Sequence, residues 1–545
     1  MNIKQIFLFL AFLNFCLNTR YKCGADSIKK KPQKVQEVKN DENKRNLENE
    51  YTPIKMYVDY NFIKNQNILS AEKLNYLKSI FDELTNYISI LLSVQHYKIN
   101  LNEGSIEQSC EIDSYSSEFE NSLSGYDIVI FPKINETLSE YVLAQAWPCL
   151  IISSNRPVAG VVEISKDFDI YKYGASYYMK YILLHELSHV LGFSYYFFTE
   201  LNLIKTIRNN GITRDYINGT KTIQKAKEHF GCKNLIGVQL ENQGGLGSAM
   251  SHWESRYMLG DYMISTTYSE VSISDITLAY FEDTGFYKAN YYTGGLFRYG
   301  KNQGCSFLEE DCIKNVEVET SFPNEFCNNQ YGYFCGSSHL NRGDCFITQY
   351  LNIVIPGQFR YFENIQVGGL DFVDYCPVSY NYYIKELEDL HYYPYNCKYG
   401  TTVDSTYEYM GQQIGDNSIC MESSLLPNSY QGILDEYYSV CYKVECDRSS
   451  KQYKVIIGDK AITCPTRGTT LQNIDGFTGK IKCPDYNIIC TSERWCNELF
   501  DCINKQSLTD SSTFTFNYNK SQYLFSRLNK IISSFLLLLL IYNKL

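Results

Sequence analysis

A chain of 545 residues with 44% apolar and 20% charged side chains has ordinary globular composition and enough length for roughly two to four domains. Its formal charge of −11, with no long basic stripe, argues against a nucleic-acid partner. The 20 cysteines do not fall in close pairs with pendant histidines, so they exclude a zinc-ribbon protein and a reducing cytosol and imply disulfides.

The N-terminus agrees with an oxidising compartment. Lys4 precedes an apolar run over 6–15, the length of a signal-peptide core and too short to span a bilayer. With the small residues Gly24 and Ala25 downstream, residues 1–25 read as a secretory signal. Residues 26–50 carry both charge signs and almost no apolar side chains, which suits a pro-segment or linker that packs no core. Folded structure is expected from Tyr51: a strand over 54–60, then a helix over 71–94 with Leu77, Ile80, Phe81, Leu84, Ile88 and Leu91 on one face. β-branched runs over 127–133 and 157–164, bounded by turn residues, predict two more strands. Cys110 and Cys149 are the only cysteines here and are expected to pair. The layout is a sheet packed on two long helices.

The second helix starts near Ala175 and carries YILLHELSHVLGF over 181–193. In a helix His185 and His189 stand one above the other on the same face, so their ring nitrogens can converge on one metal ion. Glu186, offset around the same turn, can reach a water on that ion without being a ligand, which is the place of a general base. Gly192 follows His189 by three residues, where a residue tolerant of positive φ can end the helix. The alternative is a histidine pair packed in the core of an amphipathic helix. A zinc site needs a third ligand, and in compact peptidases with this motif a histidine follows at the sixth position after the second. Tyr195 stands there. Of the remaining histidines, His252 alone has a telling context: SHWESRYMLGDYMIS follows a glycine-rich loop and precedes Met263, a methionine placed to floor a metal site. His96, His229, His339 and His391 read as surface or packing residues.

HELSHVLGF, a long insertion, then SHWESR and a methionine turn resemble leishmanolysin, a surface zinc endopeptidase family of the metzincin clan. RPVAG (156–160), HFGC (229–232), LAYFEDTGFYKANY (278–291), GKNQGC (300–305) and GFTGKIKCP (476–484) look like the same family, so the resemblance runs from about 51 to 502. It implies that His185, His189 and His252 hold one zinc per chain, that Glu186 is the catalytic glutamate, that Gly192 ends the helix and that Met263 is the methionine of the turn. It also implies an α+β, metzincin-type fold. An N-terminal α/β module (51–192) and a central module (193–304) would flank the cleft, followed by a cysteine-rich C-terminal domain (305–505). Cys23 is a candidate latency thiolate, able to fill the fourth zinc position. It departs from the family's switch, whose cysteine is flanked by histidines.

The expected chemistry is hydrolysis of protein or peptide substrates by a zinc-activated water, with substrate extended along an edge strand. Met263 is assigned packing beneath the site. From Cys305 onward there are fifteen cysteines, an odd count, so one must pair with Cys232 or with a cysteine of the N-terminal module if all are bridged. Asn135, Asn218 and Asn519 stand in glycosylation sequons. The apolar run over 531–542, behind a polar spacer and the small residues Ser511, Ser512 and Thr513, suits a lipid-anchor signal or a short terminal helix. A secreted or externally anchored protease is the reading; a cysteine-rich adhesion protein on an inactive protease fold is the rival. Loss of Glu186 or His252 would favour the rival, and both are present.

Overall fold

The computed structural model describes residues 31–38 and 51–490, with breaks at 102–103, 139–141, 167–175, 210–211, 246, 267, 269, 292–296, 315–319, 330–331, 352, 381–394, 399, 401–404, 431–433, 435 and 448. Cys23, His391, Asn519, the signal-like run and the apolar tail lie outside the described residues.

Part of the polar stretch before Tyr51 is built into the fold. Strand β1 (Gln33–Lys34) pairs in parallel with Leu150 and Ile151, and β2 (Gln36–Val38) pairs antiparallel with Lys98–Asn100. Val35 between them is 5% exposed and packs in the core, a contact that the low apolar content of 26–50 did not suggest. The strand expected over 54–60 is shorter, β3 (Met56–Val58). The apolar stripe at three- and four-residue spacing forms helix α1 (Ala71–Leu91), N-capped by Ser70, whose side chain accepts the Lys73 N–H. The helix was expected to reach Val94 but stops at Leu91. Leu92–Val94 extends into strand β4, held between Thr52–Pro53 and Tyr287–Ala289, so cross-strand pairing overrides the helical stripe there.

The principal sheet has five strands: β1, β6 (Ala144–Ile151), β7 (Pro157–Ser165), β5 (Ile128–Asn135) and β3, in that spatial order. β7, β5 and β3 are mutually parallel, while β6 runs antiparallel to β7. β6 was not among the expected strands, and it contains Pro148, which it accommodates at a register shift between Pro148 and Leu150. One face of the sheet buries Phe119, Val129, Phe131, Trp147 and Val161 together with the Cys110–Cys149 disulfide. Against the sheet packs α2 (Ser176–Val190), which touches β6, β7 and α1. Its approach needs Gly160 of β7. A Cβ there would lie 2.1 Å from Cγ1 of Val190 and 3.1 Å from the Trp147 carbonyl.

After α2 come an antiparallel hairpin (Ile204–Asn209 with Ile212–Ile217), α3 (Thr220–Phe230) and α4 (Asp275–Asp283). α3 has glycine at its N-cap, and its first amides are satisfied from α4 instead: Asp283 accepts the N–H groups of Lys221 and Thr222 and the Thr222 hydroxyl. The Cys232–Cys305 disulfide then ties the end of α3 to the start of the cysteine-rich region, which resolves the odd count.

That region contains a six-stranded antiparallel sheet, from Ser418–Ser423 to Lys480–Cys483, over its own apolar core. It is cross-linked by Cys312–Cys376, Cys327–Cys345, Cys335–Cys420, Cys397–Cys441, Cys446–Cys490 and Cys464–Cys483. Glu270 joins it to the preceding residues. Its buried carboxylate accepts the N–H groups of Ser338, Leu340 and Asn341. A Cβ at Gly336 would fall 2.2 Å from a Glu270 oxygen, so glycine makes room for this joint. Among the described residues no helix is long and apolar enough to cross a membrane.

Candidate metal centre

The fold brings His185 and His189, on the second half of α2, together with His252, which arrives on a loop beyond α3. All three are buried, at 8%, 0% and 0% exposure. Their other ring nitrogens are committed. His185 Nδ1 lies 2.7 Å from the Tyr262 carbonyl, His189 Nδ1 2.6 Å from the Phe193 carbonyl and His252 Nδ1 2.8 Å from the Ser248 carbonyl. A carbonyl can only accept, so each Nδ1 carries the proton and each Nε2 presents a lone pair. Those lone pairs converge: Nε2 of His185 is 3.0 Å from Nε2 of His189 and 3.2 Å from Nε2 of His252.

Unprotonated nitrogens this close repel unless a cation lies among them. A tetrahedral set at zinc–nitrogen distances of about 2.05 Å has its nitrogens ~3.3 Å apart. The spacing here is near that value, and three neutral imidazoles are a usual donor set for zinc. Burial lowers the imidazole pKa values: His185 to about 4 against the opposing pull of the Tyr262 carbonyl, His252 to about 3, and His189 well below its ordinary value. A depressed imidazole stays neutral below its ordinary 6.5, so protons compete for it only as pH falls through the folded value. Zinc content after dialysis is therefore expected to hold from pH 7 down to about pH 5 and to fall steeply near pH 4 and below. Release centred near pH 6.5 would contradict the burial argument.

The chain path at the helix end follows from one glycine. Gly192 adopts φ 118°, which an L side chain rarely takes, and lets the chain reverse so that the Phe193 carbonyl returns to His189. The Phe193 N–H donates to Ser188 O, and the Gly192 carbonyl accepts the Tyr280 hydroxyl. Glu186 is 2% exposed and follows His185 directly on α2. Met263, 0% exposed, follows Tyr262 in a turn whose N–H groups are held by Asp261 and Ser272. Tyr262 adds a second bond to α2, its hydroxyl pairing with Ser188 Oγ at 2.9 Å.

Other sequence-selected residues are placed elsewhere. Asn135 is half-buried, its amide donating to Glu163 and its oxygen accepting from Thr137; Asn218 is half-buried, with its N–H on the Leu203 carbonyl. His229 donates to the Tyr299 carbonyl and stacks on Phe297, His339 Nδ1 donates to the Cys420 carbonyl, and His96 pairs with Asp127. None of these three joins the metal cluster among the described residues. The carbonyls that orient the three imidazoles were not legible in the sequence, since a backbone oxygen leaves no residue signature. Nor does the sequence mark Glu241, a buried acid whose N–H donates to the His252 carbonyl and which burial pushes up to about 8, or the nearby Asp374, which bonds Gln243 and which burial pushes up to about 6.

A family model described as leishmanolysin matches residues 59–496. A leishmanolysin homolog of Crithidia fasciculata is 30% identical over 456 residues, covering 80% of this chain and 66% of that protein. Leishmanolysin of Leishmania chagasi is 29% identical over 386 residues, covering 68% and 61%, and a leishmanolysin-like peptidase of Caenorhabditis elegans is 26% identical over 314 residues, covering 50% and 45%. The matched stretch thus spans less than two thirds of the length of each of these relatives.

Proposed function

The chain belongs to the leishmanolysin family, and on that premise we propose that it is a zinc-dependent endopeptidase acting on extracellular or surface proteins. The observation that carries this reading is the convergence of three buried imidazole Nε2 atoms whose Nδ1 protons are all bound to backbone carbonyls. His185, His189 and His252 would hold one zinc ion. When bound, the ion supplies a Lewis acid that acidifies a water and polarises the scissile carbonyl. Glu186, next to His185 and not a member of the converging set, accepts the water proton and delivers it to the leaving amine. The three carbonyls keep the imidazoles in one tautomer and one orientation through the cycle.

Substrate is placed extended along the outer edge of β6. That strand packs against α2, and on the side away from β7 its last residues, Leu150 and Ile151, already pair with β1, so the edge accepts added strands. An added strand there takes its affinity from main-chain hydrogen bonds, which suits broad specificity. The eight disulfides of the described residues fit a secreted protein or one held on the outer cell surface.

The test is hydrolysis of casein by the purified protein, with and without a zinc chelator. Cleavage that stops with the chelator and returns with added zinc is the expected result. One zinc per chain with no cleavage by the fully processed protein would replace this reading with that of an inactive, adhesive relative.

A further inference from the structure

We propose that Asp261 is a positioning residue of the metal centre, its buried carboxylate fastening the turn that orients His185 to the loop that carries His252. The proposal rests on the zinc reading given above.

Asp261 is 0% exposed and among the described residues no charged side chain bonds to it; its partners are the backbone and hydroxyl groups of two neighbouring segments. Oδ1 accepts the Met263 N–H at 2.8 Å. That bond closes the turn in which Tyr262, the residue between, offers its carbonyl to His185 Nδ1. Oδ2 accepts the Thr277 hydroxyl at 2.8 Å and the Ser274 N–H at 3.2 Å, at the start of α4. Because the Thr277 hydrogen is given to Asp261, the Thr277 oxygen is free to accept, and it takes the indole N–H of Trp253 at 2.7 Å. Trp253 is the residue after His252 and is 0% exposed. Its backbone N–H donates to the Met263 carbonyl at 3.0 Å, which closes a ring of bonds from Asp261 through Met263, Trp253 and Thr277 back to Asp261.

The ring reaches the third ligand by packing. Trp253 meets Phe193 edge-on, with centroids 5.1 Å apart, and the Phe193 carbonyl is the one that orients His189. His252 thus joins the ring through the chain at Trp253, His185 through the Tyr262 carbonyl, and His189 through the Phe193 carbonyl and the Phe193–Trp253 contact; the one carboxylate in that ring is Asp261. A carboxylate suits the post because every group facing it is a donor. An amide does not: in Asp261→Asn, whichever way the side chain turns, its NH2 meets either the Met263 N–H or the Ser274 N–H, donor against donor.

The experiment measures zinc affinity by competition with a chromophoric chelator, the visible spectrum of the cobalt-loaded protein, and thermal unfolding of the metal-free forms. Asp261→Asn is expected to weaken zinc binding roughly 10- to 100-fold and to shift the cobalt bands. Thr277→Val keeps the Met263 bond and cuts the Trp253 arm, so a smaller loss, several-fold, is expected. A carboxylate that only stabilised the fold would lower the melting temperature and leave the affinity and cobalt spectrum of the folded protein unchanged. Folded Asp261→Asn protein with wild-type values for both would overturn the proposal. Should that variant not fold, Thr277→Val decides: a wild-type zinc affinity and spectrum overturns the proposal, and a weakened, shifted site supports it. Wild-type protein that takes up no zinc would overturn the zinc reading itself, which separates that failure from this one.

Discussion

Replacing Glu186 by Gln is expected to leave one zinc per chain in place and to reduce kcat for casein by about 10²- to 10⁴-fold. Gln has nearly the same shape and fills the same buried position, so packing along α2 is kept. It cannot accept a proton. Because the three converging nitrogens belong to His185, His189 and His252, the substitution removes no ligand. Metal analysis and turnover on one preparation check both halves of the prediction. A near wild-type rate would remove Glu186 from the mechanism, and a metal-free variant would make it structural to the site.

His252→Ala attacks the other half of the centre. The variant loses one of the three converging nitrogens and, with it, the ring that spans from the Ser248 carbonyl to the cluster. Zinc affinity is expected to fall roughly 10²- to 10³-fold, an even share of the binding free energy of a small zinc site. Equilibrium dialysis against a buffered zinc series measures it. Unchanged metal content would place the third ligand at another residue.

What the sequence made legible follows from how each feature is encoded. Two histidines four apart on a helix, with an intervening glutamate, state their chemistry in residue types at a spacing set by helix geometry, and SHWESR with Met263 did the same across a long insertion. Helix α1 was readable from its stripe, but its end was not, because Leu92–Val94 is decided by strands from Thr52–Pro53 and Tyr287–Ala289. Strand β6, which contains Pro148, was not among the expected strands, and the docking of residues 33–38 was hidden by their polarity, since main-chain pairing needs no apolar side chains. The pairing of Cys110 with Cys149 could be expected from isolation alone; that of the later cysteines depends on which strands meet, and only the parity at Cys232 gave a hint. Asp261 was out of reach for a different reason. An acid in a loop has no pattern until the segments it joins are known.

Phe193 and Ser248 orient their histidines through main-chain oxygens, and such an oxygen survives almost any substitution at its own position. The Ser248 side chain is thus released from orienting His252 and answers only to local packing, whereas the Phe193 ring also meets Trp253 edge-on and is held to its place. Neutral drift can therefore alter position 248 while the His252 imidazole keeps its orientation. Tyr262 is the less free of the group, because its hydroxyl is also bonded to Ser188.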